Sequence, residues 1–191
     1  GIESNLWTSL TSSIDVAGDD SVLFGGGGEF VYYGTYEDYF IGALRPDGTP
    51  DPGFVAPQLG GTVIRDTALQ SDGKVVGVGR TRAPDGSLDL QVFRVLRNGT
   101  LDSSFGIGGL ATIDSGTANS VEGHAVAIDP DGRIVVAGFR GLEVFAARFL
   151  ENGTLDPAFG TAGIYSQAFP AGAVQLPLRL VRAAGGGYRV L

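Results

Sequence analysis

The sequence lacks several residue types on which common protein chemistries depend. Among its 191 residues there is no cysteine and no methionine, and there is only one histidine. Disulfides and thiolate chemistry are therefore excluded, and packing and hydrogen bonds must hold the fold together. No apolar run approaches the length of about 18 residues that a membrane-spanning helix needs, so we expect no membrane span in this segment.

Basic residues are also scarce. Thirteen lysines and arginines stand against 21 aspartates and glutamates, which leaves a formal net charge of −8. Binding to nucleic acid requires a basic face that neutralises phosphates and releases their counterions. We therefore expect no nucleic-acid partner.

Glycine and apolar residues are abundant. The chain holds 32 glycines, about 17% where about 7% is usual, and 43% of its residues are hydrophobic. The hydrophobic fraction is typical of a globular protein. The glycines recur at regularly spaced turns between apolar runs, which indicates strands separated by tight connections.

Two phrases recur along the chain. Asn-Gly-Thr-Leu-Asp-x-x-Phe-Gly occupies residues 98–106 and 152–160, and a looser copy lies at residues 47–54. A second phrase, Asp-Gly followed by a basic residue and an apolar run, begins at Asp72 and Asp131. A period of 50 to 60 residues indicates a tandem array whose units cover one another's apolar surfaces.

The pattern within one unit predicts four antiparallel strands. In the clearest unit we expect strands at about residues 124–129, 133–139, 142–151 and 163–168, joined by Asp-Gly and Asn-Gly turns. Residues 134–137 are apolar at consecutive positions, which is typical of a strand covered on both faces. No segment has helical periodicity, so the cover must be other sheets of the same kind. This combination predicts an all-β fold, a β-propeller segment of four-stranded antiparallel blades.

The repeat predicts about three and a half blades. We place the units at approximately residues 5–64, 65–118 and 119–173, with a half unit at 174–191. Closed propellers usually have four to eight blades, and an exposed half-blade is a pairing-prone edge. We therefore expect missing sequence or another chain to supply the remaining blades.

The repeat resembles a known family. Residues 127–138, 147–149 and 152–160 are similar to the bacterial delta-60 repeat, a β-propeller domain of unknown function. This resemblance implies a large secreted or surface-attached bacterial protein, an extracellular or cell-surface location, and no established catalytic motif. The departures are Pro50 and Val55 in the first unit and the glycines at 185–187 in the last.

Loop lengths suggest where a binding site lies. The connections between second and third strands and between blades vary in length, and in a four-stranded meander both emerge at one end. The candidate face comprises residues 32–38, 80–89, 114–123, 140–143 and 168–172. Within it the predicted binding residues are Tyr32, Tyr33, Tyr36, Glu37, Asp38, Arg80, Arg82, Asp85, Arg140 and Glu143.

Two interpretations of the tyrosine cluster are open. Aromatic rings beside carboxylates could stack on sugar faces and bind hydroxyls, or they could be strand-end residues that pack between blades. His124 has no second histidine and no Gly-x-Ser-x-Gly elbow nearby, so we expect it to be structural. Arg94 and Arg148 occupy equivalent positions, and we expect them to pair between blades with Asp102 and Asp156.

The leading hypothesis is a non-catalytic binding or structural module that presents variable loops to a protein or glycan. It needs no cofactor, no metal and no catalytic residues. One alternative is a propeller-type hydrolase or lyase whose carboxylates converge at the central axis. Another is an architectural subunit of a larger protein assembly.

Overall fold

The computed structural model describes residues 11–31, 35–116, 120–168, 179–183 and 187–191, without the side chains of residues 11, 12, 27–31 and 35–40. All regular secondary structure in this part of the chain is β-strand. The strands are β1 Thr11–Val16, β2 Val22–Val31, β3 Thr35–Leu44, β4 Thr62–Leu69, β5 Val75–Arg82, β6 Leu88–Val95, β7 Leu110–Ile113, β8 Val121–Ile128, β9 Ile134–Arg140, β10 Glu143–Phe149, β11 Ile164–Ala168, β12 Leu180–Arg182 and β13 Tyr188–Val190.

The strands form successive antiparallel meanders. Blade 1 is the sheet β1-β2-β3, blade 2 is β4-β5-β6-β7, blade 3 is β8-β9-β10-β11, and the hairpin β12-β13 follows. Strands that are adjacent in sequence pair with each other because tight turns join them. The prediction of an all-β propeller segment is confirmed. The predicted boundary after residue 64 falls inside β4.

The first strand of each blade packs against the preceding blade. Strand β4 contacts β1, β2 and β3, and β8 contacts β4, β5 and β6. Strand β12 contacts β8 in turn. The first strands therefore follow one another along the inner side of the array.

The second strands of blades 2 and 3, β5 and β9, are buried on both faces over most of their length, as the continuous apolar run at residues 134–137 predicts for β9. Ile134, Val135, Val136 and Ala137 have no exposed surface. A large core cluster joins apolar residues of β5 and β6 to those of β8, β9 and β10. Burying one such side chain contributes about 1.5–3 kcal/mol, so the interface between blades 2 and 3 is a main source of stability.

Blade 1 is narrower than the other two described blades. Blades 2 and 3 close with the short fourth strands β7 and β11, whereas residues 55–61 of blade 1 form no strand. Only seven residues separate Phe54 from the start of β4 at Thr62, and Pro57 among them lacks the amide that a ladder needs. The short connection thus removes the strand that the repeat predicts here.

The repeated phrase joins one blade to the next. The amide of Val55 donates to the carbonyl of Asn98 at 2.7 Å, and the amide of Gly106 donates to the carbonyl of Asn152 at 2.8 Å. In each case the residue after the phenylalanine binds the Asn-Gly turn of the following blade. Gly153 has a φ of +84°, and a Cβ atom there would lie 2.7 Å from the Gly106 nitrogen. Glycine is therefore required twice, by turn geometry and by the neighbouring blade.

The two equivalent arginines pair within their own blades, which corrects the prediction of inter-blade pairs. Nε of Arg94 donates to Oδ2 of Asp102 at 2.8 Å, and the guanidinium lies 4.8 Å from the Phe105 ring centroid. The turn after the third strand brings the two charges together on one sheet. The inter-blade contact comes from Nη1 of Arg94, which donates to the carbonyl of Glu151 at 2.7 Å.

Candidate functional site

The two ends of the blades are built differently. We call the end that carries the first-to-second and third-to-fourth strand turns the turn end. We call the opposite end, which carries the second-to-third strand and inter-blade connections, the loop end. Antiparallel pairing puts the two sets of connections on opposite ends of every meander.

The second-to-third strand connections at the loop end are shorter than expected. Strand β5 continues to Arg82 and β6 begins at Leu88, so only residues 83–87 of the predicted loop 80–89 form a turn. Ala83 donates its amide to the Ser87 carbonyl at 2.9 Å and closes that turn. In blade 3 the connection is Gly141 and Leu142 alone. Continued strand pairing corrects the sequence-based loop boundaries.

Arg80 and Arg82 differ sharply in exposure, although both lie in β5. Arg80 is only 9% exposed, and its Nη1 donates to Oε1 of Glu122 in blade 3 at 3.0 Å. Arg82 is exposed, and its Nη1 donates to the Gly86 carbonyl at 3.3 Å. Residues 80 and 82 lie on the same face of β5, so the difference comes from position along the strand. Glu122 of the neighbouring blade covers Arg80, whereas Arg82 is the last residue of β5, beside the exposed turn. Sequence analysis could not assign how far along β5 the neighbouring blade extends.

Asp85, Arg140 and Glu143 lie at the loop end as predicted. Asp85 is exposed, and its Oδ1 accepts the amide of Ser87 at 2.9 Å and the hydroxyl at 2.6 Å. The Ser87 hydroxyl bond, followed by the amide bond, lowers the pKa of Asp85. Arg140 and Glu143 are half-buried partners in register at the tip of the β9-β10 hairpin.

The remaining predicted residues are only partly described. Tyr32 and Tyr33 lie outside the described residues. Tyr36, Glu37 and Asp38 belong to β3, and their side chains are not described. The inter-blade segments 114–123 and 168–172 are described only at residues 114–116, 120–123 and 168. Oδ1 of Asp89 accepts the amide and hydroxyl of Ser115, which ties the first of these segments to blade 2.

Sequence analysis missed a polar cavity on the inner side of the array. We call it the axial cavity, because the strands that line it are the first strands β1, β4, β8 and β12. Its volume is about 750 Å³. Its polar lining side chains are Ser13, Asp15, Arg65, Asp66, Thr67, His124, Arg179 and Arg182.

Two β-bulges shape this cavity. The pairing of β4 with β5 shifts between Ile64 and Asp66, and that of β8 with β9 shifts between Gly123 and Ala125. The residues at these shifts are Arg65 and His124, and both side chains line the axial cavity. A bulge adds one residue to a strand and redirects its side chain. The sequence offered one signal of this equivalence. Arg65 and His124 each lie five residues before the residue that begins the first turn of the blade, Gln70 and Asp129 respectively.

His124 lies beside a carboxylate that two arginines also approach. Its Nε2 is 3.8 Å from Oε2 of Glu122, and Nη2 of Arg65 is 3.8 Å from the same oxygen. Its ring stacks edge-on against Phe139, with centroids 4.9 Å apart. Burial, and then the positive charge of Arg65, lower the pKa of His124. The ring is therefore mostly neutral at pH 7.

Two aspartates also line the axial cavity. Asp66 accepts the Val126 amide of blade 3 at Oδ2 and the Thr67 amide at Oδ1, both at 2.9 Å. Burial raises the pKa of Asp66 to about 6 despite these bonds. Burial likewise raises the pKa of Asp15. Both carboxylates are thus easier to protonate than ordinary surface aspartates.

Two further features concern metals and membranes. Among the described residues, no group of three histidine, aspartate or glutamate side chains is arranged to hold a metal ion. The part of the chain that the structure describes contains no helix of the length and hydropathy needed to cross a membrane.

Comparison with known proteins identifies the repeat. No curated protein matches the chain. A family model described as a β-propeller domain of unknown function, DUF5122, matches residues 70–105 and 130–159. The first match runs from the first turn of blade 2 to Phe105, and the second covers the equivalent part of blade 3 up to Phe159. Within blades 2 and 3 the chain is therefore similar to this β-propeller family of unknown function.

Proposed function

We propose that the chain is a non-catalytic propeller module of a secreted or surface-attached bacterial protein, and that it binds a protein or glycan through its loop end. The observation that carries the proposal is the contrast between the two ends of the blades. The turn end repeats one type of turn in every blade, whereas the connections at the loop end differ from blade to blade. Binding residues are concentrated on variable connections that a rigid scaffold positions.

The turn end is uniform. In six turns an aspartate or asparagine Oδ1 accepts the amide of the residue two positions on, which is the Asx-turn geometry. These side chains belong to Asp19, Asp47, Asp72, Asn98, Asp131 and Asn152. These hydrogen bonds satisfy local backbone donors, so the repeated Asp-Gly and Asn-Gly turns serve the fold.

The loop end offers different side chains in each blade. Blade 2 presents Arg82 at the end of β5 and Asp85 on the five-residue turn that follows, and blade 3 presents Leu142 on a two-residue turn. Leu142 is 78% exposed. An exposed leucine beside half-buried Arg140 and Glu143 combines apolar and charged contacts, as protein–protein interfaces do.

A location outside the cytoplasm is part of the proposal. It rests on the resemblance of the repeat to the delta-60 family. Detection of the parent protein in the culture supernatant or by antibody on intact cells tests this part directly. Exclusive recovery from the cytosolic fraction would contradict it.

The enzyme alternative has one observation in its favour. Asp15, Asp66 and His124 line one cavity, which is the convergence that an axial hydrolase or lyase needs. However, both oxygens of Asp66 accept backbone amides, and the distance from His124 to Glu122 exceeds hydrogen-bond reach. We therefore assign Asp66, His124 and Glu122 a structural role, and binding remains the favoured function.

A matched pair of double variants tests the loop end. The labelled chain is applied to arrays of polysaccharides and of purified cell-surface and matrix proteins. We compare R82A/D85A at the loop end with R45A/D47A at the turn end. Asp47 caps its turn through the Thr49 amide and hydroxyl at 2.9 and 2.6 Å, the same distances as at Asp85. The two variants therefore carry similar structural changes.

The proposal expects signals on one array type that R45A/D47A retains and R82A/D85A loses. The array that responds decides between a glycan and a protein ligand. Equal loss in both variants would assign the effect to the fold. Absence of signal on both arrays would contradict the binding function.

A further inference from the structure

The axial cavity contains side chains that the loop-end proposal does not use. Arg65 and His124 come from different blades but occupy equivalent bulges, so two sheets place nitrogen-bearing side chains at the same height of one cavity. Bulges occur frequently beside functional sites because they redirect single side chains. Arg179 lines the same cavity just before β12 and is exposed.

The protein already holds one of its own carboxylates in this region. Arg80 donates to Oε1 of Glu122 at 3.0 Å, while Arg65 and His124 both lie 3.8 Å from Oε2. A distance of 3.8 Å is an ion-pair contact and exceeds a hydrogen bond. Glu122 thus orients the Arg65 and His124 side chains beside the cavity, and the side-chain exposure of Arg65 is only 14%. Partial burial strengthens any charge-assisted bond made there.

We propose that the axial cavity binds the carboxylate of a small ligand through Arg65 and His124, with Arg179 as a further cation. A planar guanidinium fits a carboxylate with two parallel hydrogen bonds, and an imidazolium adds a third donor. The volume of about 750 Å³ is within the range of small-ligand sites. The ligand is either an acidic sugar or an acidic amino acid residue, since both present the same carboxylate.

The other charged groups of the cavity make the site dependent on pH. Asp15 and Asp66 oppose a bound anion, but burial raises the pKa of both. Arg182 donates from Nε to Asp129 at 3.3 Å, and Glu122 faces Arg65, Arg80 and His124. As the pH falls towards 5.5, Asp66 takes up a proton and the protonated fraction of His124 rises. Both changes favour an anion, so affinity increases on mild acidification.

Nuclear magnetic resonance titration of the intact chain tests the site. The probes are D-galacturonate and Nα-acetyl-L-glutamate α-amide, with D-galactose and Nα-acetyl-L-glutamine α-amide as neutral analogues that carry no carboxylate, at pH 5.5 and 7.5. We expect the acids alone to shift the Arg65 Nε–H and His124 ring signals, with tighter binding at pH 5.5. A response to galacturonate alone identifies an acidic sugar, a response to the glutamate derivative alone identifies an acidic residue, and a response to both confirms a carboxylate site.

Variants separate recognition from folding. R65Q should weaken acid binding by about tenfold or more, and R179Q, which changes an exposed side chain, should weaken it less. R45Q at the turn end and the loop-end variant R82A/D85A should bind like the unmodified chain, so this site succeeds or fails independently of the loop end. An equal response to the neutral analogues, unchanged binding in both R65Q and R179Q, or no response to either acid would overturn the proposal.

Discussion

The two full copies of the repeated phrase, each with an arginine shortly before it, have nearly the same sequence but different surroundings. Arg94 in blade 2 and Arg148 in blade 3 each donate Nε to an aspartate at 2.8 Å and each stack on a phenylalanine. Only 3% of the Arg94 side chain is exposed, compared with 23% for Arg148. The difference is that blade 3 covers Arg94 and accepts a hydrogen bond from it through the Glu151 carbonyl. The contribution of the same local contacts to stability therefore depends on whether a neighbouring blade covers them.

Removing Arg94 should produce the largest effect. R94A removes two charge-assisted hydrogen bonds, to Asp102 and to the Glu151 carbonyl, although Lys74 and Ser104 still contact Asp102. We therefore expect a loss of about 3–5 kcal/mol in the free energy of unfolding. R148A removes the same side chain where it is more exposed, and it should cost clearly less. Urea denaturation of both variants measures the contrast. Equal losses would show that the covering blade adds nothing.

Lowering the pH should raise the contribution to stability of Asp66, which lies at the same interface between blades 2 and 3. The pKa of Asp66 is raised to about 6, so between about pH 4 and 6 the folded protein binds more protons at this group than the unfolded chain. Its contribution to the free energy of unfolding should therefore fall as the pH rises through this window, by up to about 3 kcal/mol.

The variant D66N isolates the contribution of Asp66, because other groups titrate nearby. The difference in the free energy of unfolding between D66N and the unmodified chain should change with pH only across that window. A difference that is constant from pH 4 to 7 would contradict the assignment.

Alanine in the Asp47-Gly48 and Asn98-Gly99 turns should separate turn strain from contact with the neighbouring blade. Gly48 and Gly99 both have positive φ angles, +80° and +83°. No atom lies within 4 Å of a Cβ at Gly48, whereas a Cβ at Gly99 would overlap the Val55 carbonyl. G48A should cost about 1 kcal/mol, and G99A about 1–3 kcal/mol more. Thermal unfolding of the pair measures the excess, and its absence would mean that the blades separate at little cost.

The smallest effect should come from turn caps that face solvent. The Ser87 and Thr49 hydroxyls lower the pKa of Asp85 and Asp47 respectively. D85A and D47A should each lower the unfolding midpoint slightly and by the same amount, because their hydrogen bonds are alike. A markedly larger shift for D85A would show that the loop end also contributes to the stability of the fold.

Much of the architecture could be predicted because it depends on local chemistry. Asp-Gly and Asn-Gly dipeptides specify hairpin turns, and the run at residues 134–137 indicated a strand covered on both faces. The prediction that Arg94 pairs with Asp102 was right about the partner and wrong about the blade. A third-to-fourth strand turn returns the chain to the same sheet, and the period alone does not show that.

The candidate sites were less predictable. Arg80 and Arg82 lie on one face of β5, and only the packing of blade 3 decided that Arg80 is buried while Arg82, at the end of the strand, is exposed. The axial cavity was missed because it depends on bulges in β4 and β8, which are properties of strand pairing. The prediction that the tyrosine cluster binds a ligand stays a prediction.

The sequence by itself determined the repeat, the turns and the all-β class, because glycine, asparagine and apolar alternation act on backbone angles and burial within a few residues. Only the tertiary structure decided which charges meet. Arg65, Arg80, Glu122 and His124 come from three strands of two blades, and their proximity depends on register and on how one sheet packs on the next. The contacts of Arg65 and Arg80 with Glu122 join residues more than 40 positions apart, beyond the reach of any local pattern.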